Sequence, residues 1–166
     1  MTASSSEPVV EILGAEALPG RSRVTCRFDR PYSEPLAPGG LYGERNSGSE
    51  VFVVHRVIDR QGDVITFETF GIEGERLPSV GASFFFRGWW LPAAMKAALD
   101  TEAPWEHRRY PDNGDHDHCL FNWETIAAYA EQKAGWWSAK HGWVSEKAYQ
   151  DFIANDVYHL RESHDA

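Results

Sequence analysis

Cysteine is scarce in this chain: Cys26 and Cys119 are the only two in 166 residues. They lie far apart, and residues 1–7 carry no basic-then-apolar leader, so a disulfide framework is not expected and both read as free thiols in a reducing cytoplasm. Basic charge is also short. Sixteen Lys and Arg stand against 25 Asp and Glu, a formal charge of −9. That field opposes a phosphate backbone, whose recognition needs clustered cations, so nucleic acid is not an expected partner. A basic protein is, because opposite charge speeds encounter. Long apolar runs are missing too: the densest, residues 83–95, is broken by Arg87, Gly88 and Pro92 and is too short to cross a bilayer, so no membrane insertion is expected. There is no Gly-rich phosphate loop, no Gly-x-Ser-x-Gly elbow, no His-Glu-x-x-His and no dinucleotide fingerprint, so the case for an enzyme lacks its usual signatures.

What is present suffices for a core. The chain is 42% apolar and 13% aromatic, enough for one medium domain or two small ones. Residues 9–13 read as a short strand closed by Gly14 and by Leu18-Pro19-Gly20. Over residues 22–29, Val24, Cys26 and Phe28 alternate with Arg23, Thr25 and Arg27, the pattern of a half-buried strand with Cys26 in the core. Residues 30–50 hold Pro31, Pro35, Pro38 and four glycines, which predicts a long irregular connection, either a contact surface offering Tyr42 and Glu44 or a solvated excursion. Residues 50–59 and 63–70, joined by Arg60-Gln61-Gly62, predict a β-hairpin, with His55 inside its first strand as a packed or surface histidine rather than a ligand. After Leu77-Pro78-Ser79-Val80-Gly81, residues 82–91 predict one strand buried on both faces or ending against another domain. Residues 92–100 predict a short helix opened by Pro92.

The second half is organised around Asp115-His116-Asp117-His118-Cys119. Asn122 is placed to cap a helix over residues 123–133, with Trp123, Ile126, Ala127 and Ala130 as its apolar stripe and Gly135 as its stop. Trp136-Trp137 and His141-Gly142-Trp143 predict an aromatic turn, with Trp136 and Trp137 as further partner-contacting candidates. Ser145 is placed to cap a second helix, with Ala148, Tyr149, Phe152 and Ile153 buried. Imidazole and thiolate are zinc ligands, so His116, His118 and Cys119 are candidate metal ligands, with a fourth to come from His107, His141 or His159. The carboxylates of Asp115 and Asp117 are placed to orient the two imidazoles.

The order Asp-His-Asp-His-Cys-x-x-Asn-Trp, then Val-Ser-x-x-Ala-Tyr-x-Asp-Phe, resembles a group of small bacterial proteins with a His-Cys-x-x-Cys-Trp and Cys-x-x-Cys-(Tyr/Phe)-x-Asp-Phe pattern. The likeness covers residues 115–152 and implies a zinc-ribbon-like or treble-clef-like four-cysteine site. Here Cys119 is kept, while Asn122, Ser145 and Ala148 stand at the other three positions, which removes the tetrathiolate. The Val80-Gly81 turn before a last apolar strand resembles the β-barrel modules attached to translation elongation factors.

The fold expected is therefore α+β: a small antiparallel β-barrel or sandwich with a short terminal helix over residues 1–100, then a small helical, zinc-ribbon-derived module over residues 101–166. Three readings of the cluster stay open: a structural relic, a rearranged metal site, or a Cys119 nucleophile with a histidine base. The last is disfavoured because Asp115 and Asp117 oppose a thiolate. The leading functional expectation is a cofactor-free bacterial protein-binding module with a basic partner, in the form of an immunity protein that neutralises a toxin. The alternative is a zinc-dependent enzyme or metal sensor built on His116, His118 and Cys119.

Overall fold

Alternation is realised most fully in β2 (Arg21–Phe28), where Cys26 and Phe28 are each 2% exposed and Arg27 faces solvent. This strand lies near the centre of the first of two units in a computed structural model that describes residues 8–32, 36–45, 52–70, 77–86 and 88–161. Its neighbour β1 (Val9–Leu18) runs past Gly14 instead of ending there, because a bulge between Ile12 and Gly14 absorbs the irregularity and pairing resumes to Leu18. The expected hairpin is present as β4 (Phe52–Gln61) and β5 (Val64–Phe70), turning at Gly62 with φ 64°.

Residues 30–50 are not simply an excursion. They contain β3 (Leu41–Arg45), and Leu36, Leu41 and Tyr42 are at most 1% exposed, because backbone bonds between Gly39, Gly40 and Val57 pull the segment onto β4. The single strand expected over residues 82–91 is instead two: β6 (Ser83–Phe85) and β7 (Gly88–Trp90). The sheet runs β6-β1-β2-β5-β4-β3-β7, so those two pieces stand at its two ends. Only about 10 Å of chain is available between Phe85 and Gly88. The sheet must curl until its ends approach, which makes it a half-barrel. Burial on both faces of residues 82–91 does not hold for β6: Phe84 is 41% and Phe85 62% exposed, while Phe86 packs edge-on to Phe28 at 4.9 Å inside the curl.

The outer face of this sheet carries a ladder of charge. Glu16 on β1 faces Arg23 on β2, Arg23 faces Glu68 on β5, and Glu68 faces Arg56 on β4. Glu68 is 3% exposed and accepts from Arg21 at 2.7 Å and Arg23 at 3.1 Å.

In the second unit, which takes in residues 45–52 and 91–166, α1 (Pro92–Leu99) starts at its proline and buries Ala94, Ala97 and Ala98. Next come β8 (Glu106–Arg109), the short pair β9 (Asp117–His118) and β10 (Thr125–Ile126), and the hairpin β11 (Ala134–Ser138) and β12 (Gly142–Val144). The hairpin realises the expected aromatic turn, and β8 completes a three-stranded sheet with it. Ser145 caps α2 (Glu146–Ala148), which widens into a π-helix over Tyr149–Ala154.

The helix expected over residues 123–133 does not form. Asn122 accepts from the Glu124 N–H at 3.1 Å, a two-residue closure that competes with capping, and Trp123 takes a left-handed φ of 63° that leaves the helical region. Ile126 and Ala127 are fully buried all the same, from a strand and a turn closed by the Ala127 to Gln132 backbone bond. Gly135 is correspondingly not a helix stop. It lies inside β11, where a Cβ would sit 2.9 Å from the Val144 carbonyl oxygen. The zinc-ribbon-derived helical module is thus replaced by a β-rich unit with two short helical segments among the described residues.

Candidate functional site

Beyond β8 the chain turns at Asn113-Gly114, with Gly114 at φ 80°, and the Asn113 side chain accepts from the Asp115 N–H at 3.0 Å. The two acids of the cluster then serve the loop rather than the imidazoles. Asp115 accepts from the backbone N–H of His116 at 2.8 Å, and Asp117 accepts from the Tyr110 hydroxyl at 2.9 Å. Burial, the bond to Asp117 and the nearby charges of Asp117, Asp115 and Tyr129 push the Tyr110 hydroxyl up to about 12, so it stays a donor.

The imidazoles point one way and the thiol the other. His118 stacks on Trp123 at 4.4 Å and 10°, His116 stands edge-on to His118 at 5.0 Å, and the Thr125 hydroxyl lies 3.5 Å from His118 Nδ1. Cys119 is fully buried and its Sγ accepts from the Phe121 N–H at 3.4 Å. Among the described residues no three His, Cys, Asp or Glu side chains form a metal-holding group. Of the suggested fourth ligands, His107 is bonded to Glu146 and His141 to Asp100 at 2.8 Å, while His159 takes a φ of 53°. Asp100 also holds Lys140 at 2.8 Å; the bonds from Lys140 and then His141 keep its carboxyl well below the usual range.

The positions singled out by their resemblance to a four-cysteine site do share one locality. The Asn122 amide donates to Ser145 Oγ at 3.5 Å, and that same oxygen accepts from the Ala148 N–H at 3.3 Å. The Cys119 carbonyl accepts from Trp123, and the Leu120 N–H donates to the Trp143 carbonyl, which joins this turn to the hairpin.

Of the four residues expected to contact a partner, Tyr42 is 1% exposed, packed on Phe67 at 4.5 Å and stacked on His55 at 4.9 Å, so it supplies core rather than surface. Glu44 is half-buried and bonded to His55 Nε2 at 3.1 Å, while His55 Nδ1 meets the Thr69 hydroxyl. Trp136 stacks on Tyr149 at 3.9 Å, and Trp137 lies beneath the Arg108 guanidinium at 4.1 Å. The indole N–H groups of Trp105 and Trp136 are buried without a hydrogen-bond partner among the described residues.

The exposed aromatic surface of this unit lies instead at Trp123, 46% exposed, and Tyr129, 64% exposed. Residues 110–131 around them hold Asp112, Asp115, Asp117, Glu124 and Glu131 and no Lys or Arg. Tyr129 gave no signal in the sequence because it falls off the apolar stripe of a helix that does not form. The run of five acids without a cation was legible. Compared with family models, with curated proteins and with solved structures, the chain matches none of them.

Proposed function

We propose that this chain is a protein-binding module for a basic partner, acting as an immunity protein that neutralises a toxin. The observation that carries it is the pair of exposed rings, Trp123 and Tyr129, set in a 22-residue stretch (110–131) with five carboxylates and no cation. Carboxylates steer a cationic surface inward, and an exposed indole or phenol accepts Arg or Lys on its face. Aromatic anchors of this kind dominate binding energy in protein interfaces. Trp123 also holds a left-handed backbone, which costs a non-glycine residue of order 1–2 kcal/mol and persists where surrounding structure enforces it. Here the Cys119 carbonyl and the Asn122 closure enforce it, presenting the ring outward.

The test is titration calorimetry of the full chain with the basic product of the adjacent gene, at low and at high salt. Stoichiometric binding that weakens as salt rises and falls at least about tenfold in Trp123→Ala and in Tyr129→Ala is expected. Cells expressing that product should survive with the wild-type chain and die with the double variant. No binding to that product or to other cationic proteins at low salt would end the proposal.

A further inference from the structure

We infer that Asn113 is a self-modification site, at which the chain converts its own asparagine to aspartate and isoaspartate with water as the only co-reactant. Asn113 and Gly114 are both exposed in the turn that leads from β8 into residues 115–118. The Asn113 N–H donates to the Pro111 carbonyl at 3.0 Å, and the Asn113 side-chain carbonyl folds forward to accept from the Asp115 N–H at 3.0 Å. The ring closed by that second bond runs from Cγ through Cβ, Cα and the carbonyl carbon to the Gly114 nitrogen before it reaches Asp115. Side-chain carbon and peptide nitrogen therefore sit in one closed turn, and a bond between them makes a five-membered imide.

The turn serves both reacting groups. The Asp115 N–H polarises the amide carbonyl and is in place for the oxyanion that forms on Oδ1. Among the described residues nothing accepts from the Gly114 N–H, so solvent hydroxide reaches its proton. Gly114 carries no Cβ to shield its nitrogen, and beyond its chain neighbours nothing lies within 4 Å of where a Cβ would stand. Hydroxide takes the N–H proton, the nitrogen forms a bond to Cγ, and the Cγ–NH2 bond breaks, its nitrogen leaving as ammonia with a proton from water. Water then adds to either imide carbonyl, the ring C–N bond breaks and the nitrogen regains a proton. Opening at the side-chain carbonyl restores the main chain with aspartate; opening at the other gives isoaspartate. No group is oxidised or reduced.

Asn122 shows what prevents the same step. Its side-chain carbonyl accepts from the Glu124 N–H at 3.1 Å, the same closure as at Asn113. There the following nitrogen belongs to Trp123, whose N–H is given to the Cys119 carbonyl at 3.1 Å, and the Asn122 amide nitrogen donates to Ser145 Oγ at 3.5 Å. Nucleophile and leaving group are both engaged, and the asparagine is half-buried. Two like closures in one chain thus differ in what their nitrogens are free to do. At Asn113 the product adds one negative charge to a chain of −9 and places a sixth carboxylate in residues 110–131. The isoaspartate form also routes the main chain through the former side chain, one methylene longer, just ahead of His116 and His118. None of this needs a partner, so it stands or fails apart from the proposed function.

Ageing the full chain in buffers between about pH 6 and 9 tests it, with charge followed by isoelectric focusing and the changed residue located by peptide mass spectrometry. A more acidic species is expected that forms roughly tenfold faster for each pH unit, since loss of the Gly114 proton precedes the attack. It should carry aspartate and isoaspartate at position 113, with one oxygen drawn from isotopically labelled water, while Asn122 stays intact until urea unfolds the chain. Asn113→Gln, which would have to close a six-membered ring, and Gly114→Ala, which crowds the nitrogen, should each slow the shift at least about tenfold. No acidic species at the basic end of the range, a rate indifferent to pH, or Asn122 reacting as fast as Asn113 in the folded chain would each overturn the inference. So would Asn113→Gln ageing at the wild-type rate.

Discussion

Removing the Glu68 carboxylate probes how the half-barrel tolerates so much arginine on one face. Glu68 bonds Arg21 and Arg23 at 2.7 and 3.1 Å, and Arg56 stands across from it on β4. Its side chain is 4% exposed, whereas those of Arg21 and Arg23 are 23% and 40% exposed. Two hydrogen bonds to a buried charge are worth roughly 1.5–3 kcal/mol each. Water already reaches both guanidinium groups, so about half of that is to be expected. Glu68→Ala should therefore cost about 2–4 kcal/mol, because it also leaves neighbouring guanidinium groups facing one another without their anion. Glu68→Gln, which keeps one acceptor, should fall between. The exposed pair Glu11–Arg27, at 3.6 Å with side chains 48% and 57% exposed, serves as the control: Glu11→Ala should cost less than about 0.5 kcal/mol. Urea unfolding followed by far-ultraviolet circular dichroism reads the difference as a lower midpoint at unchanged slope. A Glu68→Ala midpoint indistinguishable from that of Glu11→Ala would refute the buried-anion account of this face.

Four further expectations follow from the second unit and the thiols. Asp100 has its carboxyl lowered by Lys140 and His141, so its contribution is present above the unfolded pKa near 4 and lost as pH falls through the folded value; Asp100→Asn should be less stable than wild type at pH 7, with the gap narrowing below about pH 4. Gly135→Ala must push against the Val144 carbonyl oxygen 2.9 Å away and should destabilise by about 1–3 kcal/mol in thermal unfolding, whereas Gly114→Ala meets only its backbone penalty. Burial, and then the charge of Glu44, pushes the Cys26 thiol up to about 12, and Cys119 is fully buried, so a thiol reagent at pH 8 should label neither in the native chain and both after unfolding. Because the folded value for Cys26 is raised, its contribution is intact below the unfolded pKa of about 8.5 and declines above it. If residues 119, 122, 145 and 148 share the geometry of a four-sulfur site, the triple variant Asn122→Cys, Ser145→Cys, Ala148→Cys should bind one zinc per chain by elemental analysis; a variant that folds without zinc would dismiss the resemblance.

Where an element answers to its own neighbours along the chain, its residues were sufficient to read it. Alternation in β2, the Gly62 turn, Pro92 at the start of α1 and Ser145 ahead of α2 each act within a few residues, and each stands where the local chemistry puts it. The candidate site was legible only in part. The acids and imidazoles of residues 115–118 were visible as a group, but their directions depend on partners elsewhere: Tyr110 draws Asp117, Trp123 draws His118, and the turn through Phe121 folds Cys119 inward.

Period and propensity alone thus established a β-rich first half, a helix after it and an aromatic turn near the end, because hydrogen bonds and burial there are settled between residues close in sequence. Tertiary structure alone established the rest. Residues 123–133 satisfy a helical stripe yet fold as a strand and turns, since Ile126 and Ala127 are buried equally well that way and Asn122 closes onto Glu124. Residues 82–91 satisfy one strand yet divide between the two ends of a curled sheet, with Phe86 buried against Phe28 inside the curl while Phe84 and Phe85 stay exposed. Burial is a property of what surrounds a residue, and no local pattern states which of several equivalent apolar positions the surroundings will take.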